Sequence, residues 1–240
     1  MAEGQTNIVA GKTVAIHQPN FLPWAGYFYK ISKADLFIFL DDVQFSKNNY
    51  INRSQILVGG KKKWLSVPAR VELGTSINNV MLNNLDWKQG HLNLLKNSYQ
   101  KHRHFNDIWP NLTEAYERIN SANLSQINIQ LIMWLMKKLN ISTKICRASS
   151  FLRPKASDPT QRLVDLVVNS GGAIYLSGLG GKKYQDEALF LRGGVEVVYS
   201  SFRSGPYSQE SNEFTPGLSI LDVVFSLGWD ATASYIQKGN

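Results

Sequence analysis

Thr13-Val14-Ala15-Ile16-His17-Gln18-Pro19-Asn20-Phe21-Leu22-Pro23-Trp24-Ala25-Gly26-Tyr27-Phe28 opens a stretch that runs on to Leu36-Phe37-Ile38-Phe39-Leu40-Asp41-Asp42. Thr13 to His17 is a β-branched and apolar run that stops at a polar turn, so it reads as a strand. Pro19 and Pro23 delay regular structure. Pro23 suits the first turn of a helix, which continues to about Lys33. Leu36 to Leu40 is an unbroken apolar run, read as a buried strand, and it ends abruptly at Asp41-Asp42. Strand, loop, helix and strand in this length spell a right-handed βαβ unit with parallel strands.

Outward from this unit the pattern continues. Ser54 to Val58 and Lys63 to Val67 flank Gly59-Gly60 as a hairpin. Trp87 to Tyr99, Asp107 to Arg118 and Leu124 to Leu139 carry apolar residues at helical spacing, and Asn140 is a natural stop. A strand at Lys144 to Arg147 and a helix from Thr160 to Asn169, led in by Asp158-Pro159, come next. Strands at Ala173 to Leu176 and Val195 to Tyr199 each follow a glycine pair. A last helix covers Ser219 to Leu227. The expected fold is α/β: a Rossmann-like, mainly parallel sheet with helices on both faces. The expected organisation is a flexible tail over residues 1–11 and one domain over residues 12–240, with a helical insertion at about 85–140.

The hydrophobic share of 43% and charged share of 18% are those of a globular chain. A net charge of +8 points to an anionic partner. Lys61-Lys62-Lys63, Lys137-Lys138 and Lys182-Lys183 are too short for a nucleic-acid arm, though the charge leaves nucleic acid open. Cys146 is the single cysteine. It can form no internal disulfide and no zinc framework, and its apolar strand context reads as a structural thiol in a reducing, cytoplasmic setting. The apolar run Leu131 to Leu135 falls far short of the roughly 20 residues of a membrane span. The four histidines form no H-E-x-x-H pattern. No metal site is expected, and His91 is read as core or site.

In parallel sheets, ligands bind beyond the carboxyl ends of the strands. His17-Gln18 ends the first strand and Asp41-Asp42 the second, which makes these residues the first candidates. His17 can move a proton near neutral pH, or merely bond backbone. The aspartates suit a base, a ribose hydroxyl or magnesium, or a solvated turn. Arg53 can bind phosphate through its planar fork, or pair with an aspartate. Ser177-Gly178 runs into a glycine-rich loop holding Lys182 and Tyr184. That loop matches neither the P-loop nor the dinucleotide spacing, and it serves either phosphate binding or tight turns. Both His17 and Ser177 are expected at one sheet edge, closing one pocket. Tyr207 and Gln209, with Asp222 in the last helix, suit a hydroxyl-rich ligand or form an ordinary polar loop.

Several of these pieces, in order, resemble the WbqC-like family of bacterial polysaccharide biosynthesis. They are His17 to Phe28, Phe39 to Phe45 with Asp41-Asp42-Val43-Gln44, Asn52-Arg53, Tyr175 to Gly178, Tyr207-Ser208-Gln209 and Leu218 to Asp222. The resemblance implies a transferase of O-antigen synthesis, attaching an acyl or aminoacyl group (glycyl among them) to a nucleotide-linked amino sugar. In that reading His17, Asp41 or Asp42 is the base. Gln18, Trp24, Tyr27, Gln44, Asn52, Arg53, Ser177, Gly178, Lys182, Tyr184, Tyr207 and Gln209 bind substrate. No cofactor is fixed by the resemblance; ATP with magnesium or an acyl donor are the candidates. The opening strand and helix are also similar, more weakly, to the nucleotidyltransferase and pantothenate-synthetase superfamily, which implies ATP with magnesium. Tyr27 and Trp24 stand near the positions of that family's motif histidines. An ATP-dependent ligase, or a non-catalytic protein that binds a sugar nucleotide or a partner, is therefore the alternative.

Overall fold

The computed structural model describes residues 11–152, 156, 158–211 and 213–239. Residues 1–10 of the expected tail lie outside them. β1 (Thr13–His17), α1 (Ala25–Ser32) and β2 (Leu36–Phe39) form the opening unit. A hairpin of β3 (Arg53–Val58) and β4 (Lys61–Ser66) follows, then α2 (Trp87–Tyr99), α3 (Phe105–Glu117) and α4 (Leu124–Lys138), all within the crossover to β5 (Lys144–Arg147). α5 (Pro159–Asn169), β6 (Ile174–Ser177), α6 (Glu187–Arg192) and β7 (Glu196–Tyr199) alternate, and α7 (Ile220–Leu227) and α8 (Trp229–Lys238) close the chain.

The main sheet has five strands in the order β5-β2-β1-β6-β7, and every pairing is parallel. The chain builds outward from β1 in one direction, then returns and builds in the other. The order therefore reverses between β1 and β6, the topological switch point at which ligands of open α/β sheets bind.

Strand alternation sorts the core into two layers. Ala15, Phe37, Phe39 and Leu176 face Phe28 of α1, Leu131 of α4 and Phe225 of α7 in the larger cluster, which extends through Leu95 of α2 and Leu112 of α3. Val14, Ile16, Leu36, Ile38 and Tyr175 face Val164 and Val167 of α5 and Phe190 of α6. With helices on both faces, an inner strand can be apolar at consecutive positions, as Leu36-Phe37-Ile38-Phe39 of β2 is. The fold is the expected α/β, Rossmann-like one. Among the described residues no helix is long and apolar enough to cross a membrane.

Two details differ from expectation. β4 starts at Lys61, not Lys63, because Gly59 and Gly60 both hold positive φ (56° and 73°). Such a two-residue turn sets Val58 opposite Lys61. α8 was not expected. Only Thr232 and Ile236 of it are buried, too thin a stripe to read, and Gly228 at φ 79° separates it from α7. Cys146 is half-buried in β5, and burial pushes its thiol up, away from a reactive thiolate.

His91 of α2 ties the helical layer to the hairpin. Its Nε2 lies 2.9 Å from the Ser66 carbonyl, to which it donates, and its Nδ1 lies 3.4 Å from the Tyr116 hydroxyl. Burial pushes the imidazole down from 6.5 to about 4. Below pH 6.5 the unfolded chain takes up a proton here that the folded chain refuses until about pH 4, so stability is lost as pH falls through that window. Thermal melts stepped across this window should show a shallower decline for His91→Gln than for the parent chain. Parallel curves would remove His91 from the acid response.

Candidate functional site

A cleft opens at the switch point, in two lobes that share His17, Gln18, Asn49 and Tyr184. The outer lobe, about 430 Å³, is walled by Trp24, Tyr50, Ser54, Gln55 and Ser219. The inner lobe, about 460 Å³, is walled by Lys30, Arg162, Ser177 and Gly178, Gly180 and Gly181. Both volumes fall in the range of roughly 300–1,000 Å³ typical of small-molecule sites.

His17 is the last residue of β1. Its Nδ1 lies 3.1 Å from the Gln18 carbonyl, and its ring meets the Tyr27 edge at 4.9 Å. The Tyr27 hydroxyl donates to the same Gln18 carbonyl at 2.8 Å. Tyr27 therefore stands behind His17 and fixes the turn. Burial, and next the charge of Lys30, push His17 down to about 3. The imidazole is neutral at physiological pH. With Nδ1–H donating to Gln18, Nε2 carries the free lone pair.

The aromatic wall belongs to the outer lobe. The Trp24 indole lies directly over Gly26, where an added Cβ would sit 2.4 Å from the ring. Only glycine allows the indole to lie there, half-exposed to the cleft, with Phe202 against its edge at 5.4 Å. Tyr184 stands exposed at the junction of the lobes. In the inner lobe Ser177 Oγ donates to Gln185 Oε1 at 3.0 Å, and a Cβ on Gly181 would collide with Ser177 Oγ at 2.5 Å.

The structure brings His17, Gln18, Trp24, Ser177, Gly178 and Tyr184 together, with the Ser177 loop beside His17 as expected. It does not bring in the others, none of which lines either lobe. Asp41 accepts from Ser149 N (3.0 Å) and Oγ (2.7 Å). Asp42 pairs with Arg162 at 2.9 Å. Both carboxylates are buried and hold the segment after β5 and α5, so neither lines the cleft where a base was expected. Arg53 donates to the Asn48 carbonyl and stacks on Trp64 at 4.0 Å. Asn52 bonds the Val67 carbonyl at 2.9 Å within the hairpin. Gln44 is exposed and bridges to Ser76. Lys182 is exposed, with Nζ 5.7 Å above the Tyr199 ring. Tyr207 (2.8 Å) and Gln209 (3.3 Å) donate to buried Asp222, which also accepts from Tyr99 at 3.1 Å. Their side chains are spent on structure. Among the described residues no cluster of His, Cys, Asp and Glu could hold a metal ion.

Among the cleft residues that were not candidates from the sequence, two are cationic. Lys30 sits among Phe28, Tyr29 and Ile31 on a helix buried nearly all round, and a lysine in such surroundings was itself a signal. Arg162 could be found only through its partner, since nothing in the sequence links it to Asp42.

These features define a doubly wound α/β protein with a cleft at its switch point. A family model described as the WbqC-like protein family matches residues 18–234, and the chain belongs to that family. It is also similar to Uncharacterized protein Rv1507c of Mycobacterium tuberculosis, at 33% identity over 225 residues, covering 92% of this chain and 96% of the relative.

The Asp42–Arg162 pair is buried on both sides. Removing one partner of such a pair costs about 3–5 kcal/mol, because the other charge is left without compensation. Asp42→Ala should therefore lower denaturant or thermal stability by that order. An unchanged melting temperature with lost activity would instead return Asp42 to the list of bases.

Proposed function

We propose that this protein is a transferase of bacterial surface polysaccharide synthesis, one that attaches an acyl or aminoacyl group to the amine of a nucleotide-linked sugar. The observation that carries this reading is the pairing of two unlike lobes in one cleft. The outer one offers the flat Trp24 ring with Tyr184 and Tyr50, and the inner one offers Lys30 and Arg162. An aromatic face suits a nucleobase or a sugar ring, and cationic groups suit phosphate.

At the junction His17 supplies the proton chemistry. The free lone pair of neutral Nε2 accepts a hydrogen bond from the sugar amine and turns the nitrogen's own lone pair toward the acyl carbon. As the N–C bond forms, the leaving group of an activated donor, such as a thioester or acyl adenylate, departs with its electron pair. Nε2 receives the surplus proton.

A thermal-shift and calorimetric comparison tests the reading. A uridine diphosphate amino sugar at a hundred times its dissociation constant should stabilise the fold by about 2.7 kcal/mol. Trp24→Ala should weaken its binding about tenfold or more, the worth of one stacked ring. Stabilisation by ATP with magnesium and none by nucleotide sugars would replace the transferase by an ATP-dependent ligase. No response to either would leave a partner-binding protein.

A further inference from the structure

Lys30 is a cation in an unusual place. It belongs to α1, is buried to 5% exposure, and reaches beneath the end of β1, where Nζ donates to the Ile16 carbonyl at 2.7 Å. No carboxylate pairs with it among the described residues. An ammonium has three protons to donate, and one backbone carbonyl takes one of them. Arg162 enters the same lobe from α5. It is equally buried, its Nη2 donates to Asp42 at 2.9 Å and to the Ala148 carbonyl at 3.5 Å, and its Nε finds no hydrogen-bond partner among the described residues. Among the described residues neither lobe is lined by an Asp or Glu.

Burying a charge without a partner is costly. Asp42 compensates Arg162, but the Lys30 ammonium in the same cavity has no carboxylate beside it among the described residues, which leaves the lobe with an unbalanced positive charge. A ligand's oxyanion would balance it. Gly178 and Gly180 leave open space on the opposite wall, for a Cβ at either would meet nothing within 4 Å. We infer that the inner lobe is an oxyanion site in which Lys30 and Arg162 seat a phosphoryl group of the ligand. The inference rests on the cleft being a ligand site, as proposed above. It fixes the ligand's orientation, phosphate inward and ring outward against Trp24.

A consequence follows for pH. Burial pushes Lys30 down to about 7, so the empty lobe loses its ammonium at mildly alkaline pH, and anion binding must restore it. The other groups facing the lobe are His17 of β1, Arg162 of α5 with its partner Asp42, Tyr175 of β6 and Tyr184 beyond it. His17 is held down at about 3 and Tyr175 is pushed up to about 12, so neither changes charge near pH 7. A phosphoryl group's own second ionisation, near pH 6, adds negative charge as pH rises and works in the opposite direction.

Titration calorimetry with inorganic pyrophosphate alone tests this. The parent chain should bind it at pH 6.5 and lose affinity toward the limit of about tenfold per pH unit between pH 7.5 and 8.5. Lys30→Met should lose most of the binding and all of that pH dependence while remaining folded, with a melting temperature lowered by the unpaired Ile16 carbonyl. Lys33→Ala, the same change of charge on the exposed side, should bind as the parent does. Ser177→Asp is a second route that leaves Lys30 in place: its carboxylate should occupy the lobe and abolish pyrophosphate binding. Absence of binding to the parent chain at millimolar pyrophosphate, or undiminished binding to either inner-lobe variant, would overturn the inference. The two readings fail separately. Pyrophosphate binding as described, with no added affinity for nucleotide sugars, sinks the transferase and leaves the anion site. Nucleotide-sugar binding lost in Trp24→Ala but intact in Lys30→Met does the reverse.

Discussion

Beyond Ala15 the central strand is paired on one side only. Its ladder with β6 stops at Ala15 opposite Leu176, whereas its ladder with β2 continues to His17 opposite Phe39, and Leu40 N still bonds the His17 carbonyl at 2.8 Å. From there the chain leaves the sheet through the middle of the protein. Buried backbone groups must find partners, and here side chains from far along the sequence supply them. Lys30 takes the Ile16 carbonyl, Tyr27 the Gln18 carbonyl, Asn128 the Pro19 carbonyl and Ser219 the Leu22 carbonyl. Phe21 N reaches the Tyr50 carbonyl, and Ile220 N the Pro23 carbonyl. The route is tight enough to hold buried Leu22 at φ 40°, a conformation that costs an L residue on the order of 1–2 kcal/mol.

Most of the cleft follows from this one constraint. The partners that satisfy the segment from Ile16 to Pro23 are also its walls. Ser219 both caps α7, accepting from Leu221 N at 3.3 Å, and bonds Leu22, which brings the end of the chain against its beginning at the outer lobe. Lys30 satisfies a strand end and, by the same placement, becomes a buried cation over the inner lobe. Structural need and chemical potential are not separate assignments here. A lysine is among the few side chains long enough to reach the Ile16 carbonyl from α1 and still present unspent donors.

The sheet was legible because its strands are short apolar runs bounded by glycine pairs and polar stops, and the period of each element is a local property. The switch point was legible too, since right-handed crossovers allow few strand orders. Hence His17 and Ser177 could be placed together. What could not be read was which polar residue near a strand end faces the cavity and which faces the protein. Asp41 and Asp42 lie at the right edge, yet one is consumed by Ser149 and the other by Arg162. Both partners lie over a hundred residues away, a separation at which no spacing rule operates. Arg53 failed for a related reason. The hairpin turns it onto Trp64, a pairing set by cross-strand geometry rather than by its distance from the aspartates.

The motif pieces late in the chain show the same division of labour at one remove. Tyr207, Gln209 and Asp222 carry family resemblance, but their polar atoms meet one another and Tyr99, not a cavity. Asp222 accepts three hydrogen bonds in a buried setting. Burial pushes its carboxyl up, and the bonds from Tyr207 and Tyr99 work against that shift. A carboxylate so placed gathers α2, α7 and the segment between β7 and α7 around one point. That segment leads directly into Gly217 and Ser219, which line the outer lobe. Signature residues of this kind shape a site from behind it. A polar motif in a buried position therefore points first to what holds the walls, and the ligand is to be sought where Lys30, beside the Asp42-paired Arg162, has no carboxylate partner among the described residues.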